Sequence, residues 1–287
     1  MSTEELFKRL ESHVDKIAAA TVAILGIQNE RIVHDRTGVL YQIGGESFIL
    51  TASHDLQGIV KSKIPHFVLV NKDGVLPIPL TAPAGVHGTE VDGRDIACIS
   101  LPDNLAIEIA KHKRFISHDE VRIHDEQPGR YVIVGFPAKW SVQKLGDDYL
   151  YSHPLVYLCT PFAGQPDSDS AYRREVHILL SIEQDAHELT SKEVENLPDF
   201  HGISGCGVWR IPDKLISGSS TSCAEKPTLV AIQNKWHKGL KYIMATRIKW
   251  VLDRILDDYP TLNRPMRLIY PTKVQSRIVV PEWVTSR

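Results

Sequence analysis

Residues 47–54 read Ser-Phe-Ile-Leu-Thr-Ala-Ser-His, a short hydrophobic run that ends in small residues and a histidine. A run of this length and composition predicts a buried strand. The strand would deliver the imidazole of His54 into a turn. A histidine in such a place is more often structural than functional, so its meaning depends on partners elsewhere in the chain.

Two further motifs follow along the chain. Residues 94–99 read Arg-Asp-Ile-Ala-Cys-Ile, so that Asp95 directly precedes a second hydrophobic run. Residues 202–207 read Gly-Ile-Ser-Gly-Cys-Gly, and here Ser204 lies among glycines that permit a positive φ. Each motif alone is weak, because acids before strands and Gly-x-Ser-Gly both occur by chance. Together they supply a base, an acid and a nucleophile in chain order.

The rest of the chain is rich in short strand-like runs, which are separated by glycine, proline, asparagine and aspartate. Many short strands with such turns predict an antiparallel sandwich or barrel. Two amphipathic helices are predicted at the ends, over residues 3–18 and 246–259. The apolar face of the first helix consists of Leu6, Leu10, Val14 and Ile17.

The composition excludes several classes of protein. The 287 residues are 43% hydrophobic and 24% charged, which is typical of a globular chain. The formal net charge of −2 gives no reason to expect direct nucleic-acid binding. The four cysteines form no zinc framework, and neither their spacing nor that of the histidines suggests a metal or other cofactor. With no signal-like or membrane-spanning segment, a reducing, cytoplasmic location is expected.

The three motifs resemble those of the chymotrypsin/trypsin-like serine peptidases. Residues 51–54 are similar to the family's T-A-x-H motif, residues 95–97 to its D-I-A motif and residues 202–205 to its G-x-S-G motif. The likeness extends over about residues 20–256. It implies an all-β fold, a chymotrypsin-like double antiparallel β-barrel with six strands in each barrel and with N-terminal and C-terminal helices.

The resemblance also implies a division of the chain. The expected parts are an N-terminal helix over 1–19, a first β-barrel with His54 and Asp95 over 20–127, a second β-barrel with Ser204, the oxyanion hole, the specificity pocket and the C-terminal helix over 128–259, and a basic tail of irregular structure over 260–287.

The resemblance assigns a role to each motif. A serine hydroxyl is a weak nucleophile, so Ser204 would need His54 to accept its proton. Asp95 would orient the imidazole and stabilise its protonated form. The backbone N–H groups of Gly202 and Ser204 would bind the oxyanion of the tetrahedral intermediate.

The sequence also departs from the secreted members of that family. In those enzymes an aspartate before the nucleophile pairs with a newly cleaved N-terminus, whereas this chain has Ile203. Asp55 and Phe200 stand where the secreted enzymes have cysteines. These departures favour an intracellular protein, similar to trypsin-like effectors of bacterial defence and stress systems.

The expected specificity pocket is the least defined part of the site. By position in the family, Pro198 would form its floor, followed by Asp199, and Asn234, Lys235 and Trp236 would form a wall. His201 adjoins the oxyanion glycine and could touch the substrate. An uncharged Pro198 does not support a simple preference for arginine or lysine, although Asp199 could restore it. The residue preferred at the cleavage site therefore stays open.

The leading interpretation is a serine endopeptidase that cleaves protein or peptide substrates through an acyl-enzyme. Ile203 leaves two ways to set the oxyanion loop. One is constitutive packing, and the other is an enzyme held inactive until a partner or ligand orders the active site, where a regulatory protein partner would bind through the N-terminal helix or the basic tail. A second interpretation retains the barrels as a catalytically weak or inactive module for protein binding.

Overall fold

The chain is mostly β, with helices near both ends, as the sequence predicts. The computed structural model describes residues 3–28, 31–54, 56, 66–69, 78–80, 86–89, 93–123, 129–138, 141–143, 150–152, 154–168, 171–188, 194–195, 200–217, 226–267 and 269. Two expected pocket residues, Pro198 and Asp199, lie outside these ranges, as do residue 268 and residues 270–287 of the basic tail.

The first sheet contains seven antiparallel strands. They are β1 (Thr21–Gln28), β2 (Arg31–Ile43), β3 (Glu46–Thr51), β4 (His66–Leu69), β5 (Ile78–Leu80), β6 (Val86–Thr89) and β7 (Ile96–Leu101). Their order across the sheet is β5-β4-β1-β2-β3-β7-β6. Within the described residues, no pairing is recorded between the two edge strands, β5 and β6.

The second sheet closes on itself. Its strands are β8 (Arg130–Gly135), β11 (Leu155–Pro161), β12 (His177–Glu188), β13 (Val194–Glu195), β14 (Gly207–Ile211), β15 (Thr228–His237) and β16 (Tyr242–Arg247), beside a separate hairpin of β9 (Ser141–Gln143) and β10 (Leu150–Ser152). The order β11-β8-β14-β15-β16-β12 returns to β11, and β13 lies outside this ring on β12. This closed six-stranded barrel is the one that the resemblance implies.

Five α-helices complete the described part of the chain. They are α1 (Thr3–Ala19), α2 (Asp103–Ala110), α3 (Asp213–Ser217), α4 (Ile248–Asp258) and α5 (Asn263–Met266). The first and fourth confirm the two amphipathic helices predicted from periodicity. None of the helices seen in these ranges is long and apolar enough to cross a bilayer.

The largest hydrophobic core joins both sheets and both long helices. Leu10 of α1 and Val251 of α4 are fully buried in it, together with Tyr41 of the first sheet and Trp209 of the second. Burial of this apolar surface stabilises the contact between the sheets, because removing such area from water is favourable. The two helices therefore help to fix the two sheets relative to one another, and with them the loops between the sheets.

The start of the C-terminal tail differs from the irregular structure expected for it. Residues 260–262 form a 3₁₀ turn that leads directly into α5. Leu262 and Met266, four residues apart, are buried in the main core. This helical spacing places both side chains on one face, so the chain continues to pack beyond Pro260.

Candidate active site

Antiparallel pairing brings His54 and Asp95 together. Strand β3 pairs with β7, and Thr51 near the end of one lies opposite Ala97 near the start of the other. The residues just after β3 and just before β7 therefore lie next to each other, at the same end of this strand pair. There, His54 Nδ1 donates a hydrogen bond of 2.6 Å to Asp95 Oδ2.

The second carboxylate oxygen of Asp95 holds the backbone of the same turn. Asp95 Oδ1 accepts hydrogen bonds from the N–H groups of Ser53 at 2.7 Å and His54 at 2.8 Å. The Ser53 hydroxyl donates a third at 3.1 Å. Burial opposes the charge on Asp95, but the hydrogen bonds from His54 and Ser53 outweigh it and lower the pKa of Asp95. The carboxylate is thus ionised at neutral pH, as an acceptor for the imidazole must be.

Ser204 lies in a tight turn between two glycines of positive φ. Gly202 has a φ of 92° and Gly205 a φ of 93°, values that other residues rarely adopt. The Gly205 N–H donates to Gln233 O at 2.7 Å, which ties the end of the turn to strand β15. A Cβ on Gly205 would lie 2.1 Å from Thr37 O, so this backbone also approaches the first sheet too closely for any side chain.

Strand β2 of the first sheet holds the turn from the other side. The Thr37 N–H donates to Ser204 O at 2.9 Å, and the Thr37 hydroxyl donates to Gly202 O at 3.0 Å. The same Gly202 carbonyl accepts a hydrogen bond of 2.8 Å from His34 Nε2. Residues three apart on a regular strand face opposite sides, but the β1–β2 register shifts where Asp35 is the extra residue. This bulge explains how His34 and Thr37 reach one carbonyl.

The neutral form of His34 fits this position. Its ring is buried, and burial lowers the pKa of His34 to about 4. A neutral imidazole carries one N–H, and the carbonyl of Gly202 requires it on Nε2. The other nitrogen, Nδ1, is buried and has no hydrogen-bond partner within the described part of the chain.

The peptide between His201 and Gly202 has a defined orientation. His201 O accepts a hydrogen bond of 2.8 Å from the Ala138 N–H. Because a trans peptide is planar, the Gly202 N–H points away from Ala138. Neither this N–H nor that of Ser204 donates to any residue that the structure describes.

Ser204 is half-buried. In the described residues its hydroxyl forms no hydrogen bond, with His54 or with any other side chain. The histidine–aspartate half of the expected triad is therefore assembled, whereas no direct bond yet joins it to Ser204.

Ile203, next to Ser204, is anchored by packing. Its side chain is buried in the core of the second barrel. A Cβ on Gly135 would lie 3.1 Å from Ile203 Cβ, so the side chain packs directly against strand β8. Cys206 is buried in the same core, and burial raises the pKa of its thiol well above the ordinary value. The thiol is thus a core group rather than a second nucleophile.

Three of the expected pocket residues, Asn234, Lys235 and Trp236, lie on strand β15, whose Gln233 O is bound by the Gly205 N–H of the Ser204 turn. Asn234 is buried at a bulge between β15 and β16, and its amide donates to the Thr246 hydroxyl at 2.9 Å. Lys235 is exposed, and the Trp236 ring packs on Phe200 with 4.5 Å between centroids. His201 is exposed at the same end.

Sequence reasoning missed the contribution of strand β2. His34, Arg36 and Thr37 all bind backbone groups of the two site loops, yet none belongs to a recognised motif. The available signal was the His-Asp-Arg-Thr run at 34–37, directly before the apolar Gly38–Leu40 stretch. Buried polar and charged side chains in a strand need partners, and these partners are the loops.

Comparisons with known proteins give distant likenesses only. No protein-family model and no curated protein matches the chain. Catalytically active tobacco etch virus protease in complex with product is similar at 13% identity, over 81% of this chain and 74% of that chain, with a TM-score of 0.42. An inactivated protease paralogue of the scabies mite is similar at 14% identity, over 84% and 96%, with a TM-score of 0.46.

Proposed function

We propose that this protein is a serine endopeptidase in which Ser204 is the nucleophile, His54 the general base and Asp95 the residue that orients it. The observation that carries this proposal is the 2.6 Å hydrogen bond from His54 Nδ1 to Asp95 Oδ2. It fixes the imidazole tautomer that leaves Nε2 free of a proton, as a general base requires.

In the proposed reaction, Ser204 Oγ attacks the carbonyl carbon of the scissile peptide and its proton passes to His54 Nε2. The oxyanion that forms is bound by the N–H groups of Gly202 and Ser204. When the C–N bond breaks, His54 gives the proton to the leaving amine, and the acyl group remains on Ser204. Water then attacks the ester, with His54 again as base, and releases the second product.

The contacts of the Ser204 turn support a constitutively formed oxyanion loop. Gly202 O accepts two hydrogen bonds from strand β2, and His201 O accepts one from Ala138. Buried Ile203 stands where the secreted enzymes need an ion pair, so no new N-terminus is required. On this proposal, a regulatory partner at α1 or at the tail would act on substrate access rather than on the loop.

A fluorophosphonate probe tests the proposal, because it reacts only with an activated serine. We expect an adduct on Ser204 in the folded wild-type protein, and none in Ser204→Ala or His54→Ala. Ser53→Ala serves only to show that the neighbouring serine is not the labelled site. Absence of any Ser204-dependent adduct, in the purified protein and in a lysate with its partners present, would contradict the proposal.

The second candidate is a non-catalytic module for protein binding, and one observation favours it. No hydrogen bond joins Ser204 to His54 within the described ranges. Catalytic hydrogen bonds are often long without substrate, which is why we place this candidate second. It predicts that peptide substrates or partners bind wild type and Ser204→Ala equally well and that neither protein releases a product.

A further inference from the structure

We propose that Arg36 is a positioning residue for His54, and that it fixes the backbone of the turn that contains His54. The inference rests on the proposed function, in which His54 is the base. The observation behind it is a buried guanidinium whose Nη1 donates to His54 O at 2.9 Å and to Ala52 O at 3.0 Å.

The turn after strand β3 needs partners for its backbone. The described ladder with β7 ends at the pair Thr51–Ala97, so no described strand pairs with the carbonyls of Ala52 and His54. A buried carbonyl without a partner costs about 1–3 kcal/mol. Arg36 binds both carbonyls through Nη1, and the planar guanidinium fixes the direction of these bonds relative to the Nε–H that binds Asp35.

Arg36 and Asp95 hold opposite sets of backbone groups in this turn. The Asp95 carboxylate accepts the N–H groups of Ser53 and His54, while Arg36 donates to the carbonyls of Ala52 and His54. The His54 backbone is thus bound at both its N–H and its C=O. Its side chain can then hold the bond to Asp95 with little freedom to move away from Ser204.

Neighbouring Asp35 makes the buried charge tolerable. Arg36 is only 3% exposed in its side chain, and its Nε donates to Asp35 Oδ2 at 2.5 Å. A buried cation without a counter-ion is strongly unfavourable. Asp35 is the extra residue of the bulge in β2, and its carboxylate lies beside the Arg36 guanidinium. The same bulge lets His34 and Thr37 bind the Ser204 turn, so it contributes to the geometry of both site loops.

Arg36→Lys is the sharpest variant, because it keeps the charge but a single ammonium cannot reproduce the planar fork. We expect kcat for a peptide substrate to fall about 10- to 100-fold with KM changed less than about twofold, since small displacements of a catalytic group cost this much. Arg114→Lys is the matched control. Arg114 also joins a carboxylate, that of Glu120, to a backbone carbonyl, that of Lys16, but it contacts neither site loop.

A second readout does not depend on turnover. In a Ser204→Ala background, the His54 Nδ1–H proton, bonded to Asp95, gives a downfield NMR resonance that is assigned by its loss in His54→Gln. We expect Arg36→Lys to shift this resonance or broaden it beyond detection, and Arg114→Lys to leave it in place. Failure of the proposed function would appear separately, as a wild type without a Ser204 adduct, and the resonance would still report on Arg36.

An unchanged His54 resonance in folded Arg36→Lys overturns the inference, whatever happens to kcat. Should Arg36→Lys fail to fold, the double variant Asp35→Asn/Arg36→Gln carries the test, because it removes both charges and leaves none unpaired. The same loss of kcat and the same change of resonance are expected there. A double variant with the wild-type resonance would again overturn the role of Arg36.

Discussion

The two loops of the candidate site are held in different ways. The His54 turn depends on charged side chains, with Asp95 on its N–H groups and Arg36 on its carbonyls. The Ser204 turn depends on neutral hydrogen bonds from strand β2, on close backbone packing at Gly205 and on the buried side chain of Ile203. Each loop is thus held by contacts with several other residues. Hydrogen bonds to charged side chains hold the His54 turn, whereas neutral hydrogen bonds and apolar packing hold the Ser204 turn.

This difference predicts different responses to substitution. Hydrogen bonds to charged groups are about twice as strong as neutral ones, and removing one partner leaves the other uncompensated. The His54 turn should therefore respond sharply to the loss of a single group. The Ser204 turn shares its support among many weaker contacts, so only a change that displaces the backbone should have a comparable effect.

The largest effect is expected from Asp95→Asn. The amide NH₂ can face His54 Nδ1 only if that nitrogen loses its proton, which leaves the proton on Nε2 and removes the base. We expect kcat at neutral pH to fall about 10⁴-fold, with the fold retained. Kinetics with a peptide substrate and urea unfolding check this, with Asp213→Asn as a control at an exposed carboxylate. An Asp95→Asn protein with more than about a tenth of wild-type kcat would mean that Asp95 does not orient a base.

The next effect is on the Ser204 turn and comes from Gly205→Ala. The added Cβ would lie 2.1 Å from both Thr37 O and Thr51 Oγ1, and the φ of 93° is itself unfavourable. We expect a loss of about 3–5 kcal/mol in the free energy of unfolding, from strain and overpacking together.

Gly45→Ala separates these two causes. Gly45 has nearly the same φ of 92° but nothing within 4 Å of the added Cβ, so only the strain of about 1–2 kcal/mol remains. Urea unfolding measures both variants. Equal losses would show that the close approach of Gly205 to strand β2 contributes nothing to the turn.

A pH dependence of stability is expected from His34. Burial lowers its pKa from 6.5 to about 4 in the folded protein, so between these values the unfolded chain binds a proton that the folded chain does not. Its contribution is complete above about pH 6.5 and is lost as the pH falls towards 4, by about 3 kcal/mol in all.

His34→Gln isolates this contribution, since glutamine keeps an N–H donor for Gly202 O but does not titrate. The charged neighbours Asp35 and Arg36 and the nearby His201 remain in both proteins, so their effects largely cancel in the difference. Urea unfolding of both proteins between about pH 7 and pH 4 measures it. Parallel pH profiles for the two proteins would show that the buried His34 does not resist protonation.

The sequence alone was sufficient where the geometry of the candidate site depends on local motifs. His54 and Asp95 flank strands whose apolar runs are obvious, and adjacent antiparallel strands necessarily bring such ends together. The glycines around Ser204 likewise predict a sharp turn, and the turn has two positive φ values. Closure of the second barrel followed from the resemblance rather than from any single residue.

What could not be predicted is the support given by side chains to distant backbone. His34 binds the carbonyl of Gly202 across 168 residues of sequence, and a carbonyl has no sequence signature. The bulge at Asp35 also reverses which side chains share a face, so the alternation rule fails at His34 and Thr37. At the start of the tail, the excess of basic residues led to a prediction of irregular structure, although Leu262 and Met266 have helical spacing and are both buried.

The smallest effect, and the sharpest test of shared support, is expected from Ile203→Val. Removing one methylene from this buried side chain should cost about 1 kcal/mol of unfolding free energy. Because the hydrogen bonds from Thr37 and His34 to Gly202 O remain, we expect kcat to fall no more than about threefold, well short of the loss of a transition-state contact. Ile109→Val, in the separate core beside α2, is the matched control and should cost the same stability with unchanged kcat. If Ile203→Val instead lowered kcat more than about tenfold at that same stability, Ile203 alone would set the oxyanion loop. The Ser204 turn would then depend on one group as the His54 turn does, and the contrast between the two loops would disappear.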